Sequence, residues 1–258
     1  MHAIILAAGQ GTRLRPYTDH VPKGMVKLNG IPLLLRQKEV LNIVGVDNVN
    51  VVTGYKEECI DISGIQKFYN PLYASTNMVA SLYCAKELFN GSSDIIISYG
   101  DIVYEQKVIT KLINCKNDLS VVIDKGWLAL WEIRMENILE DAETLKINQE
   151  GNIVEIGKKP KSQADIQGQY IGLIKVSKEF APSFFQLYEK LKGKPGLYDG
   201  KDYDNMYMTT YLQLLINHSK KIKAVMINNG WLEVDTTEDL ETYEKLIANG
   251  QLDSIYKL

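Results

Sequence analysis

Residues Met1 to Pro16 read MHAIILAAGQGTRLRP and contain the strongest structural signal in the chain. The apolar part is too short for an ordinary helix and does not alternate, which predicts a strand buried on both faces that ends at Gly9. The glycines that follow permit a turn whose backbone N–H groups point inward and bind phosphate oxygens. This arrangement predicts an α/β sheet with its binding site at the carboxyl ends of the strands.

Two basic residues follow the glycines and add charge that neutral amides cannot supply. Arg13 offers a planar fork of donors, and Lys23 offers a compact point charge. The turn is not a Walker loop, because no Gly-x-x-x-x-Gly-Lys-Ser/Thr pattern occurs, and it lacks the third glycine of the dinucleotide-binding fingerprint. The segment therefore predicts a phosphate site of another kind.

The complete pattern over residues 6–23 is Leu-Ala-Ala-Gly-x-Gly-Thr-Arg-Leu-x-Pro-x-Thr, then three residues, then Pro-Lys. It resembles the signature of the nucleotidyltransferases that make sugar-nucleotides and cytidine-diphosphate alcohols, and it matches that signature at every fixed position. The resemblance spans almost the whole chain. It implies a Rossmann-like sheet, nucleotidyl transfer with release of pyrophosphate, and catalytic roles for Arg13 and Lys23. The alternative is an ordinary strand and turn with scattered basic residues.

Length and composition restrict the partners of this chain. The 258 residues with 45% hydrophobic content suit one domain, and a net charge of −3 argues against a nucleic-acid partner. Three cysteines at no metal-ligand spacing indicate a reducing compartment. Because there is no signal peptide pattern and no membrane-spanning apolar stretch, we expect a cytoplasmic protein without membrane partners that acts on small molecules. The oligomeric state stays open, and a homodimer is one arrangement the sequence allows.

Strand and helix patterns alternate through the first half of the chain, which predicts a mostly parallel central sheet with helices on both faces. After the first strand, the predicted strands of this half are Asn48–Thr53, Ile65–Tyr69, Asp94–Tyr99 and Leu119–Asp124, and the predicted helices are Pro32–Val44, Lys56–Ile62, Met78–Leu88 and Lys107–Asn114.

The middle of the chain changes to shorter, β-rich patterns. A hairpin over Thr144–Gly157 and a strand over Gln169–Val176 predict a β-rich insertion that covers the edge of the active site. Helices at 178–191, 205–218 and 239–248 and a strand at 222–227 complete the prediction. We expect a single α/β nucleotidyltransferase domain over residues 1–258, divided into a nucleotide-binding half (1–125), an acceptor-binding part with the insertion (126–235), and a closing helix and tail (236–258).

Two aspartates are candidate magnesium ligands, since a nucleoside triphosphate binds as a magnesium complex. Asp101 follows a buried strand, and Asp235 precedes the last helix. Asp101 also suits a turn, and Asp235 also suits a helix cap. The resemblance favours the metal role, because the family takes one ligand from a Gly-Asp after the fourth strand and another from an aspartate before the last helix. Glu233 is a third acidic residue in this segment, and we do not count it among the ligands.

The donor nucleotide is expected at the glycine turn, where small residues leave room for a flat base. The resemblance places base-reading groups after the second strand and before the helix at Met78. Asn77 carries both a donor and an acceptor, which suits a pyrimidine, although it also suits a helix cap. The predicted CTP-binding residues are Leu6, Ala7, Ala8, Gly9, Gly11, Thr12, Tyr55, Ser75, Thr76 and Asn77.

Within the family, the chain looks most similar to the small cytidylyltransferases that activate phosphocholine, aminoethylphosphonate or phosphoglutamine, the last in capsule synthesis. The short length and the segments 76–82 and 233–239 carry this resemblance. Hexose enzymes have Glu-Lys-Pro where this chain has Lys158-Lys159-Pro160, which weakens a sugar-phosphate assignment. A hexose-1-phosphate thymidylyl- or uridylyltransferase and a non-catalytic nucleotide-binding module remain alternatives.

Candidate acceptor-binding residues lie in the second half of the chain. Acidic side chains would bind an amino group, basic ones a carboxylate or phosphate, and aromatic ones a quaternary ammonium unless they belong to the core. We rank phosphoglutamine ahead of phosphocholine and aminoethylphosphonate. The candidates are Lys125 and Arg134 for a carboxylate, Asp141 and Glu143 for an ammonium group, Lys159 for a phosphate, and Trp231 as an aromatic face.

Overall fold

Most of the strands form one central sheet in the computed structural model, which describes residues 1–258. The strands are β1 (His2–Ala7), β2 (Lys27–Leu28), β3 (Ile31–Pro32), β4 (Asn48–Thr53), β5 (Ile65–Tyr69), β6 (Ile95–Tyr99), β7 (Ile102–Tyr104), β8 (Leu119–Asp124), β9 (Leu145–Ile147), β10 (Ile153–Ile156), β11 (Gln169–Val176), β12 (Lys223–Ile227) and β13 (Trp231–Glu233). The central sheet has the order β12-β8-β11-β6-β1-β4-β5.

Helices cover both faces of this sheet. They are α1 (Leu33–Ile43), α2 (Met78–Tyr83), α3 (Gln106–Ile113), α4 (Trp127–Arg134), α5 (Ala181–Phe184), α6 (Gln186–Leu191), α7 (Met208–Asn217) and α8 (Thr237–Ala248). None of them combines the length and the apolar composition that crossing a bilayer requires.

Strand β1 lies near the middle of the sheet, in parallel register with β4 on one side and β6 on the other. Ile4 packs into the core on one face of the sheet, and Ala3 and Ile5 pack into the core on the other face. Burial on both faces explains why the apolar run does not alternate. The predicted α/β class, with a mostly parallel sheet flanked by helices, is confirmed.

Strand β11 corrects the predicted insertion. Its bounds agree with the prediction, but it runs antiparallel between β6 and β8 inside the central sheet. Residues 171–176 are all buried, so this strand belongs to the core and not to a cover over the site. The insertion itself consists of the β9–β10 hairpin, which packs on α7, together with α4, a helix that the sequence patterns did not predict.

Several predicted helices are shorter or divided. The predicted helix 56–62 is a single 3₁₀ turn at Glu57–Cys59, and the predicted helix 78–88 becomes α2 and a separate 3₁₀ turn at Lys86–Leu88. The predicted helix 178–191 is split into α5 and α6. The division lies at Phe185, whose φ of −90° and ψ of −2° depart from regular helical values.

A small two-stranded sheet joins two distant segments at the carboxyl edge of the central sheet. β7 pairs antiparallel with β13, and the backbone N–H of Val234 donates to the carbonyl of Asp101 over 2.9 Å. Neither strand was predicted, because each has only three residues and gains its stability from the pairing. This pairing places the start of α8 beside the end of β6.

Candidate active site

A cavity of about 310 Å³ opens at the carboxyl ends of β1 and β6, where the sequence predicts nucleotide binding. Most of the predicted residues line it: Leu6, Ala7, Ala8, Gly9, Gly11, Thr12, Arg13, Lys23, Thr76, Asn77, Asp101 and Asp235. The lining residues that sequence reasoning missed are Gly24, Tyr73, Met78, Ser81, Tyr99 and Gly100. Seven of those twelve predicted residues lie between residues 6 and 13, so the end of β1 and the turn that follows place them.

Two glycines allow the segments around this cavity to approach one another. Gly11 has a φ of +63°, and a Cβ atom there would lie 2.8 Å from the Cβ of Lys23. A Cβ atom on Gly100 would lie 2.5 Å from the carbonyl oxygen of Leu6. A larger residue would displace the side chain of Lys23 at the first position and the backbone of β1 at the second.

Lys23 lies at the centre of a cluster of charges in the cavity. Its Nζ lies 2.7 Å from Oδ2 of Asp101 and 2.5 Å from Oδ1 of Asp235. Burial alone would lower the pKa of Lys23, but the carboxylates of Asp101, Asp235 and Glu233 outweigh burial and raise it. Arg13 approaches the other oxygen of Asp235, 2.5 Å away. Burial would raise the pKa of Asp235, but Lys23 and Arg13 lower it on balance, so this carboxyl group is ionised at neutral pH.

The carboxylate of Asp101 also suits a magnesium complex. Its second oxygen, Oδ1, is buried and has no hydrogen-bond partner, which is costly for a carboxylate unless a ligand satisfies it. No cluster of three or more metal-ligating side chains is present. Two carboxylates without a complete protein cage match the way Mg²⁺ binds together with substrate phosphates. The residues at this position therefore fit a magnesium–nucleotide complex.

The base-reading prediction needs a correction at two residues. Tyr55 and Ser75 do not line the cavity. The Tyr55 hydroxyl donates to the carbonyl of Thr18 over 3.1 Å, and its ring packs against Tyr73, which takes the lining position. The Ser75 hydroxyl is directed to the carbonyl of Leu72. Both side chains are used for local packing.

The turn before α2 is held by a buried amide. Nδ2 of Asn70 donates to the hydroxyl oxygens of Thr76 and Ser81, each 3.0 Å away, and both of these residues line the cavity. Asn77 lines it as well, while its Oδ1 accepts from the backbone N–H of Met78 over 2.8 Å. The cap that sequence reasoning offered as an alternative is therefore formed at a residue that also faces the cavity.

A second cavity of about 180 Å³ adjoins the first and shares Met78 and Tyr99 with it. It is acidic and aromatic, and no lysine or arginine lines it. Burial, together with the charges of Asp141 and Asp199, raises the pKa of Glu143 to about 7. The carboxylates and aromatic rings in its lining are Asp141, Glu143, Glu233, Tyr99, Trp131, Tyr170, Tyr207 and Trp231.

Trp231 belongs both to the core and to the second cavity. It is 1% exposed, and its Nε1 donates to Oδ2 of the buried Asp124 over 2.8 Å. Its ring packs against that of Trp131 at a centroid distance of 6.1 Å. The sequence analysis offered two roles for the aromatic residues, packing in the core or binding the acceptor. Trp231 is compatible with both, because its buried ring forms part of the wall of the second cavity.

The three basic acceptor candidates are not placed as predicted, because none lines either cavity. Lys125 is exposed at the end of β8. Lys159 is exposed and donates to the carbonyl of Glu140. The Arg134 side chain is fully buried and bonded to Glu233 and Asp239, so its charge is already matched within the protein.

Glu233 was not counted among the site residues in the sequence analysis. Strand β13 ends at Glu233, two residues before Asp235, and residues two apart in an extended segment lie on the same face. Glu233 lines the second cavity and lies near both aspartates. Burial and the charges of Asp101 and Asp235 raise its pKa, although Arg134 acts in the opposite direction.

Comparison with known proteins identifies the family. Residues 3–154, more than half of the chain, match the MobA-like NTP transferase domain. The chain belongs to the MobA-like NTP transferase family. The nucleotidyltransferase family predicted from the glycine turn is thereby confirmed.

Individual relatives agree with this NTP transferase assignment. The chain is 43% identical to the CTP:phosphoglutamine cytidylyltransferase of Campylobacter jejuni over 93% of this chain and 98% of that protein. It is also 43% identical to the choline-phosphate cytidylyltransferase of Streptococcus pneumoniae, but over only 34% of this chain and 40% of that protein. The structure resembles that of a CTP:phosphocholine cytidylyltransferase from Streptococcus pneumoniae with a TM-score of 0.71, at 21% identity over 95% of this chain and 98% of that one, which confirms the fold.

Proposed function

We propose that this NTP transferase moves a cytidylyl group from CTP to a small phosphorylated acceptor and releases pyrophosphate, with phosphoglutamine as the first candidate acceptor. The observation that carries the proposal is the junction of the two cavities. A phosphate-binding turn with Lys23, Asp101 and Asp235 opens directly beside an acidic, aromatic cavity. The similarity over most of the chain to a CTP:phosphoglutamine cytidylyltransferase supports the same pair of substrates.

In the proposed reaction an oxygen of the acceptor phosphate attacks the α-phosphorus of CTP, and the bond to the β-phosphate breaks. The attacking oxygen is already anionic near neutral pH, so no protein nucleophile or strong general base is needed. Arg13, Lys23 and the backbone amides of the glycine turn stabilise the negative charge that grows on the pyrophosphate as it leaves. Asp101 and Asp235 would hold Mg²⁺, which when bound polarises the phosphate oxygens and orients the substrates.

The second cavity favours an acceptor that carries an ammonium group. Its lining has three carboxyl groups and no lysine or arginine. Glu233 is already paired with Arg134. Asp141 and the ionised form of Glu143 are therefore the charges that attract a cation and repel an acceptor with only negative charges. The aromatic rings add cation–π attraction, which is the observation that favours phosphocholine as a second candidate, followed by aminoethylphosphonate. Hexose 1-phosphates have no positive charge for this cavity. We place the reaction in the cytoplasm and its product in capsule or surface-polysaccharide modification.

A screen of nucleotides and acceptors tests this proposal directly. With purified protein and Mg²⁺, we expect pyrophosphate release to be fastest with CTP and phosphoglutamine, because a site built to pair charged groups rejects analogues that lack them. The screen combines CTP, UTP, dTTP, ATP and GTP with phosphoglutamine, phosphocholine, aminoethylphosphonate and glucose 1-phosphate. Preference for UTP or dTTP with the hexose phosphate would contradict the proposal, and binding without turnover of any pair would indicate a nucleotide-binding module.

Acceptor binding is expected to depend on the ionisation of Glu143. Because the pKa of this buried carboxyl group is raised to about 7, it is largely neutral in mildly acidic solution and ionised in mildly alkaline solution. We therefore expect the KM for the acceptor to fall by about tenfold between about pH 6 and about pH 8. The measurement is the pH profile of this KM at saturating CTP.

A pair of variants assigns this pH dependence to one residue. Glu143→Gln removes the ionisable group and is expected to give a high acceptor KM with a flattened profile. Any dependence that remains belongs to the acceptor's own phosphate or to Glu233, whose pKa is also raised to about 7. Glu136→Gln changes an exposed carboxylate on the same insertion that lines neither cavity, so its profile should match the unaltered protein. A normal profile in Glu143→Gln would exclude Glu143 from acceptor binding.

A further inference from the structure

Arg134, at the end of α4, forms a buried network between the two cavities. Its side chain is 0% exposed. Nη1 donates to Oε2 of Glu233 over 2.7 Å, while Nε and Nη2 donate to the two oxygens of Asp239 over 3.0 and 3.2 Å. The guanidinium group thus binds one carboxylate that lines the second cavity and, with both arms of its fork, another carboxylate in the first turn of α8.

Asp239 in turn holds the backbone at the candidate metal site. Its Oδ2 accepts from the backbone N–H of Asp235 over 2.9 Å and from that of Thr236 over 3.0 Å. The Thr236 hydroxyl accepts from the backbone N–H of Asp239, which completes a capping box. The chain of contacts therefore runs from Arg134 through Asp239 to the backbone of Asp235.

We infer that Arg134 is a positioning residue for the reaction, which fixes Asp235 through Asp239 and fixes Glu233 by direct contact. This inference rests on the proposed function. A capping box forms without an arginine, so the two hydrogen bonds from Arg134 to Asp239 are not needed to start α8. The guanidinium group holds an almost fully buried carboxylate in one orientation, and that orientation sets where the Asp235 backbone lies.

The fork geometry is the reason that lysine is no substitute. Arg134 makes three directed bonds to two carboxylates on different elements, whereas a single ammonium group on a flexible stem does not span both with the same geometry. Without the arginine, Glu233 and Asp239 are left buried without a matching charge. Asp239 is then expected to turn away, and the backbone N–H of Asp235 loses its acceptor.

The test measures magnesium dependence in Arg134→Met and Arg134→Lys. We expect the Mg²⁺ concentration for half-maximal activity to rise by about 10- to 100-fold in both, since the loss of a group that orients a metal ligand has effects of this size. kcat should fall while the KM for CTP changes by less than about threefold, because the glycine turn is untouched. A readout without turnover is the rise in Tm when Mg²⁺ is added to the CTP-bound protein without acceptor, which we expect to shrink.

Lys175→Met is the matched control. Lys175 is also a buried cation, paired with Asp94 over 3.1 Å at the opposite end of the sheet, so its loss should lower Tm and leave the Mg²⁺ dependence unchanged. If Arg134→Met does not fold, Arg134→Lys decides. A normal Mg²⁺ dependence in folded Arg134→Lys, or only a lower Tm as in Lys175→Met, would overturn the inference. If the unaltered protein shows no turnover with CTP, the proposed function fails instead, and the Tm readout with each nucleoside triphosphate still reports on Arg134.

Discussion

Replacing Asp101 or Asp235 with asparagine is expected to lower kcat by about 1,000-fold or more, equivalent to about 4 kcal/mol of transition-state stabilisation. Each change removes a negative charge from the position proposed for Mg²⁺. Asp101 offers a buried oxygen without a partner, and Asp235 has a lowered pKa and is ionised at neutral pH. The amide that replaces either carboxylate is similar in size but is a much weaker ligand for a hard cation. Steady-state kinetics over a range of Mg²⁺ concentrations is the measurement.

The control for this prediction separates chemistry from folding. Asp47→Asn changes an exposed carboxylate that precedes β4, at the amino end of the strands, and it should keep full activity. Circular dichroism should show all three variants folded, because Lys23 retains one of its two aspartate partners in each site variant. A rate within about threefold of the unaltered protein in either site variant would remove that aspartate from the mechanism.

Replacing Lys23 or Arg13 with alanine is expected to lower kcat by about 100- to 1,000-fold, the usual cost of losing one group that stabilises growing negative charge. Lys23 lies between the two aspartates, and Arg13 is held at the cavity by Asp235. Because both are proposed to act on charge that develops on the pyrophosphate, kcat should fall more than the acceptor KM rises. The measurement is full kinetics with each substrate varied in turn.

The same loop provides matched controls for these two variants. Arg15 is an exposed arginine two residues after Arg13 that pairs with Asp19 and not with the site, so Arg15→Ala should have normal kinetics. Lys27→Ala removes an exposed lysine that also lies outside the cavity. If Lys23→Ala or Arg13→Ala changes only the acceptor KM, the phosphates of the two substrates have been assigned to the wrong ends of the site.

The Lys23→Ala variant also changes the charge balance of the cavity without substrate. Lys23→Ala leaves the carboxylates of Asp101 and Asp235 facing one another without the ammonium group between them. Their mutual repulsion then favours a divalent cation more strongly than in the unaltered protein.

The sequence alone determined the features that depend on contiguous residues. The strand at residues 2–7 could be predicted because burial on both faces requires an unbroken apolar run, and the glycine turn because only such residues permit its backbone path. The bounds of β4, β5, β8 and β11 follow equally from local β-branched and apolar runs that end at polar or turn residues. The family and the position of the nucleotide site could therefore be predicted from the short motif at residues 6–23, whose residues lie close together in the sequence.

Only the tertiary structure decided how distant charges are matched. Arg134 looked free to bind a carboxylate of the acceptor, but α8 and the end of β13 bring two carboxylates to it from about 100 residues away. Tyr55 was predicted to line the nucleotide cavity, but Tyr73 lines it instead. The packing of the two rings against each other depends on the turn before α2. Glu233 entered the site through the pairing of β7 with β13, two short strands with no signal of their own. A charge or a ring takes its role from its partners, and no local pattern in the sequence records partners that only the folded chain brings together.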